Sequence, residues 1–211
     1  MIVFAHRSFQ EYFVARFICN AKLEVQQMLI DKYAKTLHRD SVMELLYEMN
    51  PELVERHLII PGIEKIERYL KLKKKVGITH YVRFIKSEYT HFEFSGRDIR
   101  GAHSTSYHGF SSIISFALHH CGHIIGWKGF GDKDKEEIQY LTSKYGKKSG
   151  PGTWEPIPVS HLSYKDDFIR DLASKGRFFS LRTLELAIEI KKALIKKHQD
   201  LDDSLEQILM N

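Results

Sequence analysis

Four residues near the middle of this 211-residue chain have types and spacing that can do chemistry: His119, His120, Cys121 and His123. On a helix, His119 and His123 share one face at the four-residue separation with which two imidazoles hold a zinc ion. Such a centre needs at least one more ligand, and His103 or His108 in the preceding stretch can offer it. The H-E-x-x-H arrangement sets a glutamate beside its first histidine; none stands there, and Gly122 weakens the helix between the pair. Structural histidines are the blander account, so no metal is expected, with His119 and His123 the residues to watch. Cys121 among imidazoles invites a thiolate nucleophile. Residues adjacent on a helix do not face each other, however, and no acid is near to orient a base. A buried reduced thiol accounts for Cys121, and equally for Cys19.

Phosphate chemistry fares no better. No G-x-x-x-x-G-K-[ST] loop occurs anywhere, and Gly129-Phe130-Gly131 lacks a third glycine and a helix-starting hydroxyl. The chain is therefore expected not to hydrolyse ATP, not to be an enzyme, and to hold no cofactor on its own. Two lysine clusters stand out, Lys71 with Lys73, Lys74 and Lys75, and Lys191 with Lys192, Lys196 and Lys197. Both lie towards the ends of expected helices, where cations complement the carbonyl end of the dipole. A solvated helix end is the preferred reading of each, although a net charge of +5 permits nucleic-acid contact.

The elements that position these groups begin with Phe4 to Ala15, FAHRSFQEYFVA. Ser8 followed by Glu11 forms a capping box and predicts a helix starting at about Phe9. Phe9, Tyr12, Phe13 and Phe17 recur on one side of it at helical spacing, while Val14, Ala15, Ile18 and Ala21 cover much of the other. A helix apolar on two sides needs two neighbours, and these aromatics are expected in a core. Met1 to Phe4 is β-prone but too short to stand alone, so it is expected to pair with a strand from elsewhere.

The residues Phe4, His6, Ser8, Phe9, Gln10, Glu11, Tyr12 and Ala15 resemble the end of the winged-helix subdomain in NACHT-type STAND NTPases, the signalling ATPases of innate immunity and antiphage defence. The likeness is specific over about a dozen residues and continues more weakly to about Leu72. It implies that the histidine at position 6 reaches the β-phosphate of bound ADP and helps lock a closed, inactive state. It implies also a parent ATPase using ATP or ADP with Mg, partnered with this chain in cis or in trans through an upstream NACHT core. The trigger would be an unknown ligand such as a phage or pathogen protein, with oligomerisation on activation. Since the P-loop is absent, this chain would be the carboxy-terminal part of a longer protein.

An apolar fraction of 43% with 28% charged residues is ordinary for a folded domain. No run of eighteen apolar residues and no secretory leader is evident, and the expected location is cytoplasmic. Further along, Ser41 with Glu44 reads as a second capping box, and Asn50-Pro51 as a cap followed by a first helical residue. Pro61 is expected to break the run that precedes it. Ile78 to Tyr89 reads as helix and Thr90 to Phe94 as a strand; Gly96 to Gly109 reads as a loop and the internal boundary. Phe110 to Ile125 should be a core helix, Asp132 to Tyr145 a charged surface helix, Lys147 to Pro158 irregular, and Asp200 to Asp203 an interruption of the last helix.

The expected fold is mainly α, an irregular α/α superhelix-like array with a short N-terminal strand remnant of a winged helix. The expected domains are 1–22, the winged-helix end; 23–101, helical; and 102–211, a second helical module. The expected function is that of a regulatory or sensor fragment of a NACHT NTPase. Its rivals are a stand-alone module binding nucleic acid or protein, and a zinc-dependent enzyme.

Overall fold

The computed structural model describes residues 7–37, 39–72, 75–95, 99–103, 109–129, 132–150, 153–176 and 179–210. Over these the chain is mainly α. The expected strand remnant lies outside the described residues. The chain divides into two compact units, residues 1–65 with 191–211, and residues 66–190.

In the first unit α1 (Arg7–Asn20), α2 (Leu23–Tyr33), α3 (Val42–Met49) and α4 (Pro51–Val54) follow one another, and a π-helical turn (Glu55–Ile59) leads into α5 (Ile60–Leu70). The last part of α10 (Leu181–Met210) completes the unit. Asn50 caps α4 as its type predicts, its side-chain oxygen accepting from the Leu53 N–H at 3.0 Å with Pro51 in the first turn. The other two caps differ from expectation. α1 already runs at Arg7, so Ser8 sits inside it, and the Glu11 carboxylate accepts from Arg7 Nε at 2.8 Å. At α3 the donor Val42 N–H is taken by Asp40 Oδ1 at 3.2 Å, and Ser41 makes no cap hydrogen bond.

Pro61 does not break its run. The π-turn widens the helix over Glu55–Ile59, just where a proline ring at 61 would press on the carbonyl four residues back, and the helix continues into α5. Nor do Asp200, Asp202 and Asp203 interrupt α10, which is continuous to Met210. Aspartate costs a helix only a few tenths of a kcal/mol (~0.7 at most) against alanine, and Asp202 is engaged by Arg56 at 2.7 Å.

The second unit contains α6 (Ile78–Glu88), β1 (Tyr89–Phe94), β2 (Ile99–His103), α7 (Phe110–Cys121), α8 (Asp132–Tyr145), β3 (Lys148–Gly150), β4 (Thr153–Trp154), β5 (Ile157–Pro158) and α9 (Asp167–Lys175), with the end of α5 and the start of α10. A three-stranded antiparallel sheet runs in the order β2-β1-β5, with Phe92 opposite Gly101 and Ile157. β3 and β4 form a separate antiparallel ladder. The segments 96–109 and 147–158, read as loop and irregular, thus hold four strands. Their glycines, prolines and charges hid the pairing of β2 and β5 with β1, whose Tyr89, Phe92 and Phe94 are buried, and the separate β3–β4 ladder. Gly101 has a packing reason: a Cβ there would collide with the Tyr89 ring laid across it.

Aromatic packing builds this core. Phe92 meets Phe168 and Phe179 edge-on at 6.0 and 5.2 Å, and Tyr145 meets Phe168 at 5.2 Å. The buried Tyr81 hydroxyl donates to the Phe179 carbonyl, and burial pushes its pKa well up. Buried Glu88 caps α7 from a distance, accepting from the Ser111 N–H at 2.9 Å. It replaces a side-chain cap that Gly109 cannot supply.

Candidate functional site

The residues of the opening motif that the structure describes lie on α1. Phe4 and His6 lie outside the described residues. Ala15 and Ile18 are fully buried, on a helix that packs chiefly on α3. Phe9, Phe13 and Phe17 project instead, 61%, 54% and 61% exposed, and Tyr12 stands edge-on to Phe13 at 5.7 Å. The expectation that these aromatics are core is corrected. The stripe that α3 can approach closely is the one of small and branched residues, and the aromatic side has no cover. Between α1 and α3 lies a groove of about 560 Å³, lined by Ser8, Phe9, Tyr12 and Phe13 on one wall and Ser41, Glu44, Leu45 and Glu48 on the other. Gln10 is exposed beside it. An aromatic floor with carboxylates at the rim favours an apolar partner segment carrying cations.

Behind this face lies a cluster the sequence reading missed. Glu55, on the π-turn, is only 1% exposed. Both its oxygens accept from Lys197 Nζ, at 2.9 and 2.8 Å, and Oε1 also accepts from the Tyr47 hydroxyl at 3.1 Å. His198 Nε2 lies 2.9 Å from Oε2, off the line of a hydrogen bond. Burial, then the charge of Arg56, lowers the His198 pKa, so the ring is neutral at pH 7. Arg56 in turn bridges Glu52 at 2.8 Å and Asp202 at 2.7 Å. The cluster clasps the last part of α10 to the π-turn. One signal was available: Glu55 falls within a turn of Val54, Leu58 and Ile59, at a helical position meant for an apolar residue.

Two of the histidines share a cavity. His119 closes α7 while His123 sits in the 3-10 turn Gly122–Ile125; both are exposed at a shallow cavity of about 470 Å³ shared with Ser115 and Trp127. His120 lies against Phe116, ring centroids 4.3 Å apart; burial and then the neighbouring His119 lower its pKa to about 4. His103 stacks on Tyr89 at 5.2 Å, and His108 is outside the described residues. Among the described residues no three His, Cys, Asp or Glu side chains gather as a metal site would require. Cys121 is buried and reduced. Both tryptophans fill gaps: Trp127 lies over Gly122 and Trp154 over Gly146, where no Cβ would fit.

The family model of the short NACHT-associated C-terminal domain, family 13, matches residues 49–209. The chain belongs to this family. The matched stretch thus runs from the end of α3 to near the end of α10, taking in the whole of the second compact unit and part of the first, while the α1 motif that carries the winged-helix resemblance precedes it. No curated protein and no solved structure is matched. Membership associates the chain with an upstream NACHT module. Among the described residues, no helix of this NACHT-associated domain or of the segment before it is long and apolar enough to cross a membrane.

Proposed function

We propose that this chain is the regulatory and sensing C-terminal region of a NACHT NTPase that signals in innate immune or antiphage defence. The observation that carries the reading is the family match, which covers well over half of the chain. The uncovered aromatic side of α1 supports it, because the same motif residues that resemble a winged-helix end present an apolar face. In this reading Phe9, Phe13 and Phe17 dock on the upstream NACHT core, in cis or in trans, and His6 contacts the β-phosphate of its ADP. The core holds ATP or ADP with Mg; this chain supplies no catalytic residue and hydrolyses nothing by itself. A ligand such as a phage protein, binding the C-terminal units better in the open state, shifts the equilibrium away from the ADP-locked form and permits oligomerisation.

The test is co-expression or fusion of the chain with an upstream NACHT core, followed by measurement of ADP retained after desalting. His6→Ala should lower retention at least several-fold, and Phe13→Ser with Phe17→Ser should weaken association. Unchanged retention in both variants counts decisively against the proposal.

A further inference from the structure

From Arg68 to Lys86 the sequence holds seven lysines and arginines and no acidic residue. Five of the seven are described: Arg68, Lys71, Lys75, Arg83 and Lys86, all exposed. Lys71 ends α5 in the left-handed conformation, φ 56°. Arg83 lays its guanidinium 5.1 Å above the ring of Tyr69, which brings the exposed side of α6 to the end of α5. Lys86 follows Arg83 by one helical turn, on the same side, and donates to the Ser160 carbonyl at 3.2 Å. Arg68, Lys71, Lys75 and Arg83 have no carboxylate partner among the described residues. The next acid along the chain, Glu88, is buried beneath Ser111.

Helix ends do not account for this charge. Each carbonyl end is equivalent to about half an elementary negative charge, so the ends of α5 and α6 together offset about one cation of five. The other lysine cluster differs in just this respect. Lys197 is taken up by Glu55, and Asp200, Asp202 and Asp203 follow it on α10. The two clusters thus differ in the Glu55–Lys197 pair and in the three aspartates that follow the α10 lysines, whereas after Glu67 no acid occurs until Glu88.

We propose that the α5 end and α6 form a sequence-independent site for the phosphodiester backbone of a nucleic acid, with Arg68, Lys71, Lys75 and Arg83 as the phosphate contacts. A row of uncompensated cations matches a polyanion whose charges repeat every few ångströms. A membrane surface is disfavoured by the same face: binding there needs an exposed apolar wedge, and among the described residues of this unit the exposed large apolar side chains, Tyr140 and Tyr164, are on neither helix.

The experiment is fluorescence anisotropy of the full chain with labelled 20-mer poly-U RNA, poly-dT DNA and duplex DNA. With about four contacts, log K should fall against log salt with a slope of about −3 to −4, a loss of about a hundredfold between ~50 and ~200 mM KCl. The three probes separate RNA from DNA as the preferred source of the backbone. Arg68→Gln, Lys71→Gln, Lys75→Gln and Arg83→Gln together should remove binding at all but the lowest salt, while the pair Arg68→Gln, Lys71→Gln should reduce the slope by about 1.5. Lys191→Gln, Lys192→Gln and Lys196→Gln should change affinity less than about twofold, and circular dichroism should be unaltered throughout. No binding at low salt, binding that survives the fourfold variant, equal loss in the α10 control, or equal affinity for phosphatidylserine vesicles or polyglutamate would each overturn the proposal.

Discussion

The two units handle charge and aromatic surface in opposite ways. Residues 1–65 with 191–211 contain 12 lysines and arginines against 13 acids; residues 66–190 contain 20 against 14. The balanced unit leaves Phe9, Phe13, Phe17, Met28 and the α10 residues Leu205, Ile208 and Leu209 exposed; like the basic unit, which buries Glu88, it buries a carboxylate, Glu55, and with it His198. Among its described residues the basic unit turns Phe84, Phe92, Phe94, Phe110, Phe116 and Phe168 inward and holds most of its cations outward. Apolar faces suit a protein partner and uncompensated cations suit a polyanion, so the units are fitted for different associations. Their internal linchpins differ as well, a buried carboxylate paired with an exposed lysine in one and close aromatic packing in the other.

The largest test of that contrast removes the ion pair. Lys197→Met strands the Glu55 carboxylate, whose side chain is 1% exposed, and should lower stability by about 3–5 kcal/mol in urea unfolding followed by circular dichroism. Glu55→Leu with Lys197→Met should recover most of the loss, since an apolar pair avoids the desolvation cost. Full destabilisation in the double variant would mean that the cluster is needed for more than mutual neutralisation.

Next comes the packing of the basic unit. Gly101→Ala pushes a methyl group into the Tyr89 ring and should cost about 1–3 kcal/mol. A neutral result would show that β2 is not fixed against β1 in the observed register.

A smaller effect follows from His120 and His198, whose pKa values are both lowered on folding. The unfolded chain binds protons that the folded one refuses, so their contribution to stability is complete above about pH 6.5 and is lost as pH falls. For His120 the loss runs down to about pH 4. His120→Phe should flatten that part of the stability profile, whereas His119→Phe should leave most of the slope. The smallest expected effect is on α1, where Phe17→Ser should change stability by less than about 0.5 kcal/mol, against about 2–4 kcal/mol for buried Ile18→Ala. Equal costs would place Phe17 in a core after all.

Legibility in the sequence followed the range of the interactions. α6 leading into β1, α7 as a core helix and α8 as a charged surface helix were all readable, because hydrophobic periodicity is written in neighbouring residues. β2 and β3–β5 were not readable: they are two to five residues long, too short to show a period, and β5 pairs with β1 some 65 residues away. Of the candidate site, the α1 motif residues were legible as a family pattern, but their exposure was not. Glu55 stood out as an acid in an apolar stripe, but its partner did not, because the lysine is 142 residues away in sequence.

The sequence by itself determined the helical class, the lack of a P-loop and the resemblance to a NACHT protein, because composition, spacing and motif are local properties of the chain. Only the tertiary structure decided which aromatics are covered, which buried acid finds its cation and which lysine cluster stays uncompensated. Burial and charge pairing are set by what lies across the fold, where neighbours in space need not be neighbours in sequence.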